Sequence, residues 1–310
     1  MISTWLTREL GLEMPIIGAP MGGRAGGRLA GEVTRVGGLG LLGAARYATP
    51  EWIAEESAIA RELGGGLLGI GLMTWSLDVD DTLLAAALAE KPRVVSLSFG
   101  DPAPYVERVH AAGALAVSQV NTLDDLRVVE RAGVDFVIAQ GGEAGGHTGR
   151  IGTLPLLQEV LDATSLPVLA AGGIGTGRGL AAVVAAGAEG AMIGTALLAS
   201  PETIGPEYAR RKLIEAGSAD TVYTSVFDQA RDQPWPQRWG GRALANDYTA
   251  QWHGQGADNE TLSAAYDPAD SQQGVVYAGE VAGLVTSERP AGEVVRTIAA
   301  DAERLLRRTY

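Results

Sequence analysis

Cysteine is absent from this chain of 310 residues, and lysine nearly so, with Lys91 and Lys212 the only two. Without a thiol there is no disulfide framework, cysteine nucleophile, iron–sulfur cluster or cysteine-based zinc site. Histidine is scarce as well: His110, His147 and His253 are the three, so an all-imidazole metal site would use every one. No resident metal is expected. Neither lysine sits in a Gly-Lys-Ser/Thr context, so a lysine-bearing phosphate loop and a pyridoxal Schiff base both lose support. Long apolar runs are missing too. No window approaches the 18 residues of a membrane-spanning helix, and Met1-Ile2-Ser3-Thr4-Trp5-Leu6-Thr7-Arg8 lacks an apolar signal core. The expectation is a cytoplasmic protein. Finally, 24 basic against 37 acidic residues give a net charge of −13. Neutralising phosphates takes a basic face, so nucleic acid and anionic membrane are poor partners and a small molecule is the better one.

What the chain has in excess is glycine, 43 residues, about twice the usual share. Glycine lets backbone N–H groups approach a ligand closely, and with lysine nearly absent any phosphate is expected to rest on such groups. Apolar, β-branched runs bounded by turn residues fall at Met14–Ala19, Leu39–Ala44, Leu67–Met73, Val94–Ser98, Leu115–Ser118, Phe136–Ala139, Val168–Ala171 and Gly190–Ile193. Between them, sets such as Leu29/Val33/Val36 and Leu180/Val184 recur at helical spacing. Thr49-Pro50 reads as an N-cap followed by an N1 proline, Thr122-Leu123-Asp124-Asp125 as a variant capping box, and Gly113 and Gly133 as helix-ending residues. Continuous apolar strands alternating with helices mean parallel pairing covered on both faces. Eight such units predict a (β/α)8 TIM barrel over residues 1–200, with an open doubly wound sheet as the alternative. After Ser200 the prolines Pro201, Pro206, Pro234 and Pro236 and the aperiodic polar stretch Gly254–Gly274 predict a mostly helical C-terminal appendage over the barrel mouth, residues 201–290. That appendage is expected to form part of the substrate pocket. Residues 291–310 read as a closing helix on the barrel, amphipathic over Val294–Leu306.

Barrel enzymes work at the C-terminal ends of their strands. There the chain has Ala171-Gly172-Gly173-Ile174-Gly175-Thr176-Gly177 after the seventh strand and Gly194-Thr195 after the eighth, a pair of loops suited to cradle a phosphate. Tight turns alone would also explain these glycines. Gly38-Leu39-Gly40-Leu41-Leu42-Gly43 has dinucleotide-fingerprint spacing but forms a strand instead of following one, and is rejected as such a fingerprint. After the sixth strand comes Gln140-Gly141-Gly142-Glu143-Ala144-Gly145-Gly146-His147-Thr148-Gly149. An imidazole in a glycine-rich loop at the barrel mouth is suited to take a proton at neutral pH, which makes His147 the candidate base. Glu143 either lines the site or caps backbone N–H groups. His110, in the last turn of a helix, reads as structural. His253 is open between substrate and solvent. Ala19-Pro20-Met21-Gly22-Gly23 offers a platform for a planar ring.

These segments, Pro15 through Met21, Gly37 through Gly40, Gln140 through Gly149 and Leu166 through Ile174, resemble the nitronate monooxygenases, formerly 2-nitropropane dioxygenases. The resemblance covers most of residues 14–200 and returns weakly at Tyr277 through Leu284. It implies an FMN-dependent barrel that oxidises alkyl nitronates, and in some members nitroalkanes, with O2 to a carbonyl compound and nitrite. It also implies that His147 is the catalytic histidine. Flavin contacts are implied at Met21, Gly22, Gly71, Gln140, Gly145, Gly172, Gly173, Met192, Ile193, Gly194 and Thr195. Gly71 stands where the family usually has the asparagine of Gly-Val-Asn, a departure that bears on substrate identity. The same segments occur in NAD(P)H-dependent FMN reductases of the barrel type, the enoyl-acyl-carrier and quinone reductases, which are the alternative. A homodimer is compatible with the sequence.

Overall fold

The eight apolar runs pair edge to edge in parallel register and close on themselves. The computed structural model describes residues 2–308. Its strands are β1 (Ile16–Gly18), β2 (Leu39–Ala44), β3 (Gly69–Met73), β4 (Val94–Ser98), β5 (Leu115–Val120), β6 (Phe136–Gln140), β7 (Gly146–Thr148), β8 (Val168–Ala171), β9 (Ala191–Ile193), β10 (Thr221–Thr224) and β11 (Gly240–Leu244). The barrel order is β1-β2-β3-β4-β5-β6-β8-β9, and β9 returns to β1 with Ile16 opposite Ala191 and Gly18 opposite Ile193. Closure excludes the open sheet. It is the (β/α)8 architecture.

Strand side chains alternate between two apolar layers. Ile17, Leu39, Leu41, Val117, Ile138, Leu169 and Met192 fill the barrel. Ile16, Leu42, Ile70, Val95, Val137, Ala170 and Ile193 face the helices. The helix Trp5–Leu10 covers the N-terminal end, where the Trp5 and Phe136 ring centroids are 5.4 Å apart. That leaves the C-terminal ends of the strands as the mouth. The Gly38–Gly43 spacing has a packing cause: a Cβ on Gly40 would overlap the Ala30 backbone of the covering helix. Caps set the helix ends. Thr49 accepts the Trp52 N–H at 3.2 Å ahead of Pro50, Thr122 accepts the Asp125 N–H at 3.2 Å, and Gly133 ends its helix at φ 83°.

After residue 200 come the helices Glu207–Glu215, Val226–Ala230, Asp247–Trp252 and Asn259–Ala265. Among them lies an element the periodicity does not reveal, a three-stranded antiparallel sheet ordered β10-β11-β7. Since β7 belongs to the loop after β6, this sheet ties the appendage to the barrel, with His147 opposite Gly241. The helix Ala291–Leu306 packs on Gly27–Arg35 and Gly177–Ala185, burying Val295, Ile298 and Ala302. No helix among the described residues is long and apolar enough to cross a membrane.

Candidate active site

His147 lies on β7 instead of in an irregular loop, and the pairing of β7 with β11 fixes its direction. Its side chain is buried, and Nε2 lies 2.8 Å from Oδ2 of Asp228, a carboxylate 81 positions on and equally buried. The other oxygen, Oδ1, accepts the Tyr277 hydroxyl at 3.0 Å, and the Tyr277 oxygen accepts an Arg231 N–H at 2.8 Å. Burial and the adjacent Asp228 push the Tyr277 phenol far above its ordinary pKa, so it stays a donor. Trp235 stacks on the imidazole at 3.4 Å between centroids and 7° between planes, and Trp75 and Phe99 meet Trp235 edge-on at 5.1 Å. An aromatic wall therefore backs one face of the imidazole.

All of these groups except Asp228 line a cavity of about 620 Å³ at the strand C-terminal ends. Gln140 forms part of its wall and is held from behind. Its amide nitrogen reaches the His147 carbonyl at 3.3 Å, Asn121 donates to its backbone and side-chain oxygens at 2.9 and 3.0 Å, and Trp239 donates to Asn121 at 3.0 Å. Across the glycine-rich loops, Gly172 and Gly173 have φ of 95° and 69°, the left-handed region that costs other residues about 1–2 kcal/mol. The backbone N–H groups of Gly173, Gly194 and Thr195 have no protein acceptor among the described residues. A Cβ on Gly173 would meet nothing nearer than 3.8 Å, so that backbone stands open to the cavity.

Charge points the same way. In a protein of net charge −13, the cavity lining carries Arg24, Arg46 and Arg231 against Glu143 alone. Both Glu143 oxygens are taken by Thr153, whose N–H they accept at 3.0 and 2.8 Å at the start of the helix Thr153–Ala163. Arg24 donates to the Ile204 carbonyl at 3.2 Å and has no carboxylate partner among the described residues, and burial lowers its pKa below the usual guanidinium value. Open N–H donors beside uncompensated arginine fit a phosphate-bearing planar cofactor.

Of the sequence candidates, His147, Met21, Gly22, Gly71, Gln140, Gly145, Gly172, Gly173, Met192, Gly194 and Thr195 all line this one cavity. Ile193 does not: strand alternation turns its side chain into the helix-facing core. At Gly71, a Cβ would overlap the Pro20 ring, so proline fills the space that an asparagine side chain needs. Glu143 caps a helix. His110 bonds Asp135 at 2.9 Å on the surface, and His253, exposed, bonds Thr224 at 3.1 Å. Sequence reasoning missed Asp228, Tyr277, Arg231 and Trp235. Only Trp235, between Pro234 and Pro236, and Tyr277, where the resemblance weakly returns, had a local mark.

The nitronate monooxygenase family model matches residues 68–301. The chain belongs to the nitronate monooxygenase family. It is 29% identical to a nitronate monooxygenase of Neurospora crassa, over 94% of this chain and 90% of that one. It is also 29% identical to a (3aS,4S,5R,7aS)-5-hydroxy-7a-methyl-1-oxo-octahydro-1H-indene-4-carboxyl-CoA dehydrogenase of Mycobacterium tuberculosis, over 97% and 96%. Among solved structures, FabK from Thermotoga maritima superposes with a TM-score of 0.85 at 28% identity over 99% and 98% of the two chains. Nitroalkane oxidase from Streptomyces ansochromogenes does so with 0.80 at 32% over 96% and 98%. Family membership makes the protein an oxidoreductase and implies a flavin.

Proposed function

We propose that the protein oxidises alkyl nitronates, and neutral nitroalkanes once their α-proton is removed, using O2 and FMN to give a carbonyl compound and nitrite. The observation that carries this reading is a buried imidazole, bonded to a carboxylate on one nitrogen, in the wall of an aromatic cavity that also holds open backbone donors. FMN, when bound, supplies the electron acceptor. The N–H groups of Gly173, Gly194 and Thr195 would hold its phosphate, with Arg24 adding positive charge, while Met21, Gly22 and Gln140 would flank its ring. His147 takes the α-proton of a neutral nitroalkane and hydrogen-bonds the nitronate that results. Trp75, Phe99 and Trp235 exclude water and receive the alkyl chain.

The test is His147→Asn, assayed on nitroethane and on preformed ethylnitronate. We expect kcat/KM for nitroethane to fall about a hundredfold or more, with flavin content and most nitronate activity kept. Equal retention on both substrates removes the proposed role of His147.

The likeness to FabK over 99% of the chain favours one other reading, an NAD(P)H-dependent reductase on the same flavin. Anaerobic visible spectra separate the two. Bleaching of the flavin band by nitronate alone is the expected result, and bleaching by NADH alone moves the protein to the reductases.

A further inference from the structure

We infer that Asp228 is a positioning residue that fixes the tautomer of His147 and so makes Nδ1 the atom that receives the proton. With Asp228 as a carboxylate, which can only accept, the hydrogen-bond chain has one direction, and the arginine at its far end agrees with it. A guanidinium can only donate, so the Tyr277 oxygen, 2.8 Å from Arg231, is the acceptor there. Its single proton is then free to point at Asp228 Oδ1, 3.0 Å away. A second Arg231 contact lies 3.5 Å from the same Oδ1. With Oδ1 facing two donors, Oδ2 accepts from His147 Nε2 at 2.8 Å, and that requires the proton on Nε2. The lone pair of a neutral imidazole is then on Nδ1.

The surroundings leave Nδ1 in working position. It makes no hydrogen bond to the protein among the described residues, is not sealed from solvent, and belongs to a side chain in the cavity wall. Asp228 is outside that wall, behind the ring. Trp235 stacked on one face and β7 pairing on the backbone remove the freedom to flip. When the α-carbon gives up its proton, the C–H electron pair stays on the nitro compound as the nitronate, and the proton forms a bond to Nδ1. The positive charge so created on the imidazole lies against Asp228 at hydrogen-bond distance.

The assignment stands on hydrogen-bond geometry, and only its kinetic consequence rests on the proposed nitroalkane chemistry. Two measurements on the flavin-loaded protein therefore test it separately. The first is a two-bond proton–nitrogen correlation spectrum of histidine-labelled protein at alkaline pH, with the His147 signals identified by their loss in His147→Asn. The Nε2–H pattern is expected, and the Nδ1–H pattern overturns the inference whether or not any nitro compound is turned over.

The second is Asp228→Asn. Its His147 signals should no longer report a single tautomer, and kcat/KM for nitroethane should fall about a hundredfold while ethylnitronate is oxidised within a few-fold of normal. A variant that keeps nitroethane activity, or loses both substrates equally while still holding flavin, overturns the positioning role. Tyr277→Phe, which keeps the ring and the carboxylate but removes the Oδ1 donor, repeats the comparison should Asp228→Asn fail to bind flavin. A smaller loss confined to nitroethane is expected, and no loss counts against the relay.

Discussion

Gly173 shows how a single position was readable in advance. Its place after an apolar strand marks it as a candidate phosphate-loop residue, and its φ of 69° with open space beyond the missing Cβ leaves room for a ligand there. Gly173→Asp puts a carboxylate among the open donors at a backbone cost of about 1–2 kcal/mol. We expect folded but colourless protein, read from far-UV circular dichroism and the visible spectrum, and a fully yellow product would remove the phosphate from this loop. His147 was legible for the same kind of reason, a titratable side chain where packing gives no cause for one. Asp228 was not. Its partner lies 81 positions earlier, and nothing near Phe227-Asp228 in sequence distinguishes it from a surface acid. Ile193 marks the opposite limit, since a motif includes a residue whose side chain strand alternation turns away.

At the scale of elements, the eight strands and the helices between them announce themselves because each carries its own periodicity and some of the helices carry side-chain caps. The sheet β10-β11-β7 does not. β7 is three residues long, and only its pairing with β11 makes it a strand. The appendage has its own small core, in which Tyr248 is buried with Phe227 and Leu262 and donates to the Leu262 carbonyl at 2.8 Å. Burial and the neighbouring Tyr266 push the Tyr248 phenol up to about 12. A folded-state pKa above the unfolded value of about 10 means that the folded chain holds the proton longer. The phenol's contribution is therefore complete below about pH 10 and is lost as pH rises through 12. Tyr248→Phe should unfold at a lower temperature near pH 8, by about 1 kcal/mol for the lost hydrogen bond. Between pH 9 and 11 it should lose less stability than the parent. Identical pH slopes in the two melting series would place the alkaline sensitivity elsewhere.

For the whole molecule, electrostatics run against composition. A chain of net charge −13 surrounds a cavity lined by three arginines and one carboxylate already committed to a helix end. An acidic surface repels a dianion at long range, and local donors must overcome it. Salt screens that long-range repulsion more than the close contacts inside the cavity, and only a phosphate-bearing flavin feels either strongly. Titrating apoprotein with FMN and with riboflavin, followed by flavin fluorescence, should show a lower Kd for FMN than for riboflavin, with FMN binding not weakened between low and high salt. Equal Kd values for the two flavins would remove the arginines and open donors from phosphate binding.

The sequence by itself determined the barrel, its closure in eight units and the glycine loops. The strand–helix units and the loops depend on local periodicity, caps and turn residues, and closure follows from having eight such units, although the pairing that makes it joins Ile16 to Ala191. It also carried His147, because a motif is a local object. Tertiary structure alone decided which nitrogen of that histidine is held, what holds it and what covers it. Asp228, on the helix Val226–Ala230, Trp235 and Tyr277 are spread over about fifty residues of the appendage and meet His147 only in the folded chain. It likewise decided that Pro20 occupies the space beside Gly71, a steric fact between two strand ends that no single stretch of chain contains.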